Sequence, residues 1–514
     1  MDRSIIESIP HIGEIHAQHG EFKGALPQAT RTFSERMLTM NRIAPSIEEA
    51  IRRVGLKDGM TISFHHHFRN GDYIVNLVMD VIARMGIKNL TVAASSLNDV
   101  HSPLIGHIEN GVVSHIETSG MRGELADRIS HGLMDFPVVF RSHGGRAAAI
   151  ESGELQIDVA FLGAPSCDPY GNANGYSREQ DNAASCGSLG YAKLDAMYAK
   201  HTIILTDHIV RFPNAPFGIP ESNVEYVVKV DAIGDAQGIM SGATRFTKNP
   251  KELLIAKTAA DVIEASGYFY DGFSMQMGSG GASLATARFL REKMEKNNLK
   301  CRFALGGITG QIVEMHEAGL IERILDVQSF DLVAAESLKN NRFHQQIDAS
   351  YYASIVNEGA AVNQLDFVVL SALEVDTDFN VNVLTGSDGV IRGAIGGHPD
   401  TADGASLAVV VCPLTRGRIP SIVKKVNTRV TPGATIDVVV TDQGIAVNPR
   451  RPEIRERLIK AGLPVFDIER LEARAERIVG TPAPIQYHER IVGVVMYRDN
   501  TIIDVIRQVK DVDV

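Results

Sequence analysis

The 514-residue sequence predicts an α/β fold in which one open, mostly parallel unit is used twice. Three observations carry this. Short Val/Ile-rich runs recur that are too brief for helices and lack the alternation of half-exposed strands. Amphipathic patterns of roughly 10 to 18 residues lie between them, and the second half repeats the motif order of the first.

Residues 1–45 precede the first repeat, match nothing in the second, and are expected to form an N-terminal arm. The first unit, 46–235, opens with "LKDGMTISF" (Leu56 to Phe64), and its counterpart "FYDGFSMQM" (Phe269 to Met277) places Asp271 213 residues after Asp58. Leu90 to Ala94, Asp158 to Leu162 and His201 to Thr206 read as buried parallel strands, and Tyr73 to Met85 reads as a helix. "IENGVVSHIETS" (Ile108 to Ser119) pairs with "HEAGLIERILDV" (His316 to Val327), and "QIDVAFLGAPSCDPYGNAN" (Gln156 to Asn174) with "QLDFVVLSALEVDTDFNVN" (Gln364 to Asn382), both at an offset of 208. "IPESNVEYVVKVD" (Ile219 to Asp231) matches "TPGATIDVVVTDQ" (Thr431 to Gln443) at an offset of 212. Asp231 to Pro250, rich in Gly, Ser, Thr and Asn, marks the boundary, so a second α/β domain is expected over 245–514, with helices at Ala282 to Lys293 and Pro452 to Ala461.

Composition narrows the function. Hydrophobic residues make up 44% and charged residues 22%, close to the globular average, and no apolar run approaches the ~20 residues that span a bilayer. A net charge of −11 and the absence of a basic, aromatic-interleaved stripe oppose nucleic-acid binding. Met1 to Pro10 lacks the blocks of a secretory signal, and the four scattered cysteines (Cys167, Cys186, Cys301, Cys412) suit a reducing compartment, so a cytoplasmic protein is expected.

Four glycine-rich stretches fall in the second half: "MGSGGAS" (Met277 to Ser283), "LGGITGQ" (Leu305 to Gln311), "TGSDG" (Thr385 to Gly389) and "RGAIGGHPD" (Arg392 to Asp400). Glycine lets a ligand approach the backbone, whose N–H groups can hold an anion or a developing oxyanion. "GSGGAS" leaves a strand and opens a helix, which adds the positive end of the helix. It is not G-x-G-x-x-G, and Arg288 and Glu292 follow too soon to be the acidic ribose ligand expected ~20 residues on, so a dinucleotide site is discounted.

Together these segments resemble the CoA-transferase superfamily, including its acetyl-CoA hydrolase and 4-hydroxybutyrate CoA-transferase branch, in which a segment similar to "SALEVDTDFNVN" precedes one similar to "RGAIGGHPD". With "SFHHHFRNGD", "SGATRFTKNP" and "DQGIAVNPRRPEIRERL" added, the resemblance is to the citrate lyase α-chain family and covers nearly the whole length. One departure matters. Near "GGITGQ", related CoA transferases carry a Thr-Glu pair whose glutamate is acylated, whereas here Thr309 is followed by Gly310.

The resemblance implies exchange of acetyl for citryl on the thioester of an acyl-carrier protein, with acetate released. The partners implied are citrate, the carrier and lyase subunits of a citrate lyase oligomer, and no permanent cofactor beyond the acyl-CoA or CoA-derived prosthetic group that is substrate. Without the glutamate, citrate would attack the thioester directly through a mixed anhydride. Backbone donors are then expected at Gly278, Gly280, Gly281, Gly396 and Gly397, with Asn382, His398 and Asp400 as polar neighbours. Arg69, Arg122 and Arg146 are candidate carboxylate clamps. Glu374 is the alternative nucleophile, fitting a free-standing CoA transferase or acyl-CoA hydrolase; a carrier-binding scaffold without activity is the third reading.

His65 and His67 would share one strand face, but no further ligand is placed by spacing, so no metal is expected. There is no G-x-S-x-G elbow and no P-loop, which sets aside serine hydrolase and nucleotide chemistry. "RGRIPSIVKKVNTR" (Arg416 to Arg429) is locally basic and could meet an acidic carrier protein.

Overall fold

The computed structural model describes residues 42–179, 184–240 and 247–510, together with Ser8. The expected arm therefore lies outside the described residues except for Ser8 and 42–45, and every element below belongs to the unit Asn41–Val514.

The first half builds β1 (Ile43–Ala44), β2 (Thr61–Phe64), β3 (Leu90–Ala94), β4 (Val113–Thr118), β5 (Val138–Phe140), β6 (Val159–Gly163), β7 (His201–Thr206) and β8 (Tyr226–Lys229). The second half builds β9 (Phe273–Met277), β10 (Cys301–Ile308), β11 (Ile324–Ser329), β12 (His344–Gln346), β13 (Phe367–Ser371), β14 (Leu407–Val411), β15 (Val438–Thr441), β16 (Gly444–Val447) and β17 (Val465–Phe466). Strand order in the first sheet runs β8-β7-β6-β2-β3-β4-β5, and in the second β15-β14-β13-β9-β10-β11-β12, all parallel. The same connectivity appears twice. β6 maps onto β13 at the offset of 208 read from the sequence, and β8 onto β15 at 212.

The strands are apolar because both faces are covered: every residue of β6, β9 and β14 is buried. On β13, Phe367 and Val369 point into one apolar cluster, Val368 and Leu370 into the other, which is the period of two expected of a strand. Phe303, Leu305, Leu325 and Val327 of the second sheet belong to the cluster that fills the first half, so the two sheets share a continuous core.

One expected boundary needs correction. The last strands, β18 (Tyr487–Met496) and β19 (Ile502–Val509), form an antiparallel hairpin that joins the first sheet, with β18 parallel to β5 through Gly493–Val495 and Val138–Phe140. The span 245–514 is therefore not one sheet's worth of chain. The physical reason is the edge of β5, whose open N–H and C=O row the hairpin covers. All four cysteines are buried and unbridged.

Candidate functional site

In parallel α/β sheets the loops at the carboxyl ends of the strands converge on ligands. Here the carboxyl-end loops of both sheets meet. β2 runs into His65, His66 and His67, β3 into Ser95 and Ser96, β4 into Ser119 to Arg122, and β5 into Ser142 and His143. The loop carrying Gly393 to Asp400 is fastened to them: Ile395 N–H donates to Ser119 O (2.7 Å), Met121 N–H to Gly393 O (3.1 Å), and His143 N–H to Gly396 O (2.9 Å). Gly120 is required there, since a Cβ would fall 2.2 Å from the Ala394 Cα. From the second sheet, Gln328 donates to His66 O (3.3 Å).

Residues at the ends of β9, β10 and β11 line the other side. The Gln276 amide lies on Gly306, the Phe330 ring lies on Gly307, and the Arg69 guanidinium sits 4.9 Å over that ring. Gln276 donates to the Tyr352 hydroxyl (2.9 Å), which in turn packs against Gly397. Gln276 Oε1 and Thr309 Oγ are buried without a partner among the described residues, as are both ring nitrogens of His65 and Nδ1 of His143. Buried polar atoms normally find partners, so these sealed, unpaired atoms are exceptions among the described residues.

The two glycine loops come together at Ser371. A Cβ on Gly280 would fall 2.0 Å from Ser371 Oγ, and His398 Nε2 lies 3.2 Å from Ser371 O. Gly280 caps a 17-residue helix, α1 (Gly281–Asn297), without any side-chain cap. The amides of its first turn, at Gly281, Ala282 and Ser283, show no hydrogen bond among the described residues; they form the positive end of the helix, and the Glu252 carboxylate stands beside it, its Oε2 2.8 Å from where a Gly281 Cβ would lie. Gly278 is different: its N–H already donates to Val369 O (2.7 Å), so it is not an oxyanion donor as expected. Gly396 adopts a left-handed φ of 57°, and Gly397 starts the short helix His398–Gly404.

Several expected contacts are occupied within the protein. Asn382 is consumed locally, its Nδ2 by Glu374 (2.9 Å) and Thr385 O (2.9 Å) and its Oδ1 by the Leu384 and Thr385 amides. Glu374 accepts from Asn382, from Asn427 N–H and from Asn427 Nδ2, so both its oxygens are engaged and it is poorly placed as a nucleophile. Asp400 accepts from Ser142 Oγ (2.8 Å) and Gly144 N–H (2.9 Å), which makes it a clasp between the halves; burial pushes its carboxyl up to about 6. His398 is held by Ser371 O and Thr431 Oγ, and burial lowers its pKa to about 4.

Of the three arginines, Arg146 is corrected outright. It lies on the buried helix His143–Ser152 and grips Asp195 with both terminal nitrogens (2.6 and 2.8 Å), so its fork is not open to a substrate. Arg69 already donates one terminal nitrogen to Ile239 O (3.2 Å). Arg69 is 8% exposed and its pKa falls to about 10, first by burial and then through the charge of Arg122. Arg122, half-buried before the helix Gly123–Ser130, donates to Asn98 Oδ1 (3.5 Å); burial lowers its pKa while the charge of Asp99 raises it. A guanidinium near enough to lower its neighbour's pKa in a low-dielectric seam makes a place that favours an anion.

At Gly310 the helix Gly310–Glu317 begins; the Gly310 N–H donates to Asp331 (2.7 Å), and a Cβ there would meet Val333 at 3.1 Å. Val333 thus packs where a side chain at 310 would start. Sequence reasoning missed Ser95, Gln276, Phe330 and Tyr352. The first three stand at the carboxyl ends of strands, a position that could have singled them out, whereas nothing local marks Tyr352. Among the described residues no cluster of three or more His, Cys, Asp or Glu has metal-holding geometry, and no helix is long and apolar enough to cross a membrane.

Comparison with known proteins adds to this. The family model described as citrate lyase, alpha subunit (CitF), matches residues 40–509. The chain is 57% identical to the citrate lyase alpha chain of Escherichia coli over 94% of each chain. It is similar to a crystal structure of a citrate lyase alpha subunit from Streptococcus mutans in complex with citrate, with a TM-score of 0.89 and 56% identity over 92% of both chains. A 4-hydroxybutyrate CoA-transferase from Porphyromonas gingivalis shares the fold, with a TM-score of 0.53 and 18% identity over 85% of this chain and 98% of that one.

Proposed function

The chain belongs to the citrate lyase alpha-subunit family, transferases of the CoA-transferase type, and on that premise we propose that it converts acetyl-carrier protein and citrate into citryl-carrier protein and acetate. The carrier and lyase subunits of citrate lyase are its partners, and the thiol of the carrier's CoA-derived prosthetic group is the group acylated. Arg69 and Arg122 hold citrate carboxylates at the seam. One carboxylate oxygen attacks the acetyl carbonyl carbon, the C–S bond breaks, and the carrier thiolate departs. That thiolate then attacks the citryl carbonyl of the mixed anhydride, the bridging C–O bond breaks, and acetate leaves with the oxygen. No net proton moves, so the protein's work is placement of two substrates and stabilisation of two tetrahedral oxyanions.

The observation that supports this reading is Gly310, with Val333 packed 3.1 Å from where its Cβ would stand, near the position at which the resemblance places the acylated glutamate of related CoA transferases. The test is borohydride treatment during turnover with acetyl-CoA as carrier surrogate, followed by mass spectrometry of the protein. The expected result is citryl-CoA formation with no reduced glutamate; a reduced Glu374, or a reduced Glu314 in the helix that begins at Gly310, overturns the direct route.

A further inference from the structure

The three consecutive histidines after β2 have different surroundings, and the differences assign them different work. His67 is 1% exposed, its Nε2 bonded to Ile233 O (3.0 Å) and its Nδ1 3.5 Å from the buried Asp72; it ties the loop down. His65 is 2% exposed, with both ring nitrogens sealed in and unpartnered. His66 is the most open of the three at 6%. Its Nδ1 lies 2.5 Å from Ser95 Oγ, while its Nε2 bonds to no described residue and is not sealed in the interior.

The hydrogen-bond network fixes which nitrogen of His66 carries the proton. Ser95 Oγ receives the His66 backbone N–H (3.4 Å), and its own proton has no other acceptor among the described residues than His66 Nδ1. Nδ1 is therefore the acceptor and Nε2 carries the hydrogen. Ser95 is itself fixed, since Ser119 Oγ donates to its carbonyl (2.6 Å). The ring is steadied on a second side by Tyr191, whose centroid is 6.1 Å away in a stacked arrangement, and the His66 carbonyl is held by Gln328 across the seam.

We propose that His66, oriented by the Ser95 hydroxyl, donates its Nε2–H to the oxyanion that forms when a citrate carboxylate attacks the acetyl thioester, and again when the thiolate attacks the citryl carbonyl. The imidazole gives a hydrogen bond and no proton, so it is unchanged by the cycle. A neutral donor suits this place: beside Arg69 a further full cation would be repelled, and an imidazolium would bind ground-state carboxylate as strongly as the transition state. Burial, with the charges of His65, Arg69, His143 and His101, holds its pKa well below the ordinary value, so the donor stays uncharged at neutral pH. The role rests on the direct transfer proposed above.

The test compares His66→Leu, His66→Gln and Ser95→Ala in steady-state citryl-CoA formation from acetyl-CoA and citrate, with histidine-selective 15N NMR of the wild-type chain. His66→Leu is expected to lose about 10²–10³ in kcat with citrate KM within about threefold, as for loss of one oxyanion donor. His66→Gln, which keeps an N–H at that reach, is expected to recover most of the loss, and the His66 resonance, identified by its absence in His66→Gln, to show a neutral Nε2–H ring from pH 6 to 8. A kcat for His66→Leu within threefold of wild type, a loss confined to KM, or an Nδ1–H or charged ring at pH 7 overturns the proposal even if His66→Leu fails to fold. Failure of the wild-type chain to transfer at all overturns this role together with the direct route, whereas wild-type transfer with an active His66→Leu removes this role alone.

Discussion

The same loop stands after the first strand of each repeat, and the two copies have been filled in opposite ways. After β2 the chain carries His65, His66, His67 and then Arg69, all buried; after β9 it carries Gly278, Ser279, Gly280 and Gly281 and turns at once into a 17-residue helix. One half brings side-chain donors and cations to the seam, and the other brings bare backbone amides and a helix end. A duplicated unit would place two equivalent loops face to face. In the proposed mechanism, divergence of these loops supplies two kinds of anion stabiliser from one architecture, cationic for the resting carboxylates of citrate and uncharged for the transient oxyanions.

Variants can break this comparison at graded cost. Arg146→Ala strands Asp195 as a buried charge and is expected to cost about 3–5 kcal/mol in urea-unfolding free energy, while the folded remainder keeps its citrate KM; a large rise in KM instead would return Arg146 to the substrate site. Gly280→Val places side-chain carbon on Ser371 Oγ and blocks the open end of α1, with an expected loss of about 10²–10³ in kcat. Gly106→Ala, inside the helix Leu104–Glu109 and meeting nothing within 4 Å, serves as the control: kcat should be unchanged and the fold stabilised by about 0.5–1 kcal/mol.

Asp400 links the halves and gives a pH signature. Its carboxyl, at about 6 in the fold against 3.8 when unburied, binds its proton more tightly folded than unfolded. Stability from this site is therefore full below about pH 4 and is lost as pH rises through about 6, by roughly 3 kcal/mol. Comparing urea midpoints of wild type and Asp400→Asn between pH 4 and 7 should show that slope only in the wild type. Last, Arg122→Gln should raise citrate KM by about 10- to 150-fold, the worth of about 1.5–3 kcal/mol for a charged hydrogen bond, with a smaller change in kcat. An unchanged KM would assign citrate to other residues.

Much of the fold was legible because duplication repeats hydrophobic runs at a measurable offset, and strand positions 159–163 and 226–229 recur at 367–371 and 438–441. The C-terminal hairpin was not, because a strand pattern at 487–509 says nothing about which sheet edge it will cover. Arg146 misled for a related reason: its Gly-Gly neighbours suggest a turn, whereas they let the helix pack closely, Gly144 against the Ala353 carbonyl, and the partner Asp195 is 49 residues away. The glycine loops were found by composition, but which amides stay open depends on neighbours such as Val369 O, which captures Gly278. His66 could not be separated from His65 and His67 until Ser95, 29 residues on, was seen at its Nδ1.

The central claim is that a carboxylate of citrate, and not of the protein, attacks the thioester. It is tested most directly by a single turnover with the chain in excess over acetyl-CoA, using citrate labelled with 18O in its carboxylates, and mass spectrometry of the acetate released. Direct transfer leaves the bridging oxygen of the anhydride on acetate, so the acetate should carry one 18O. Unlabelled acetate, with 18O appearing instead in a protein carboxylate, would contradict the account.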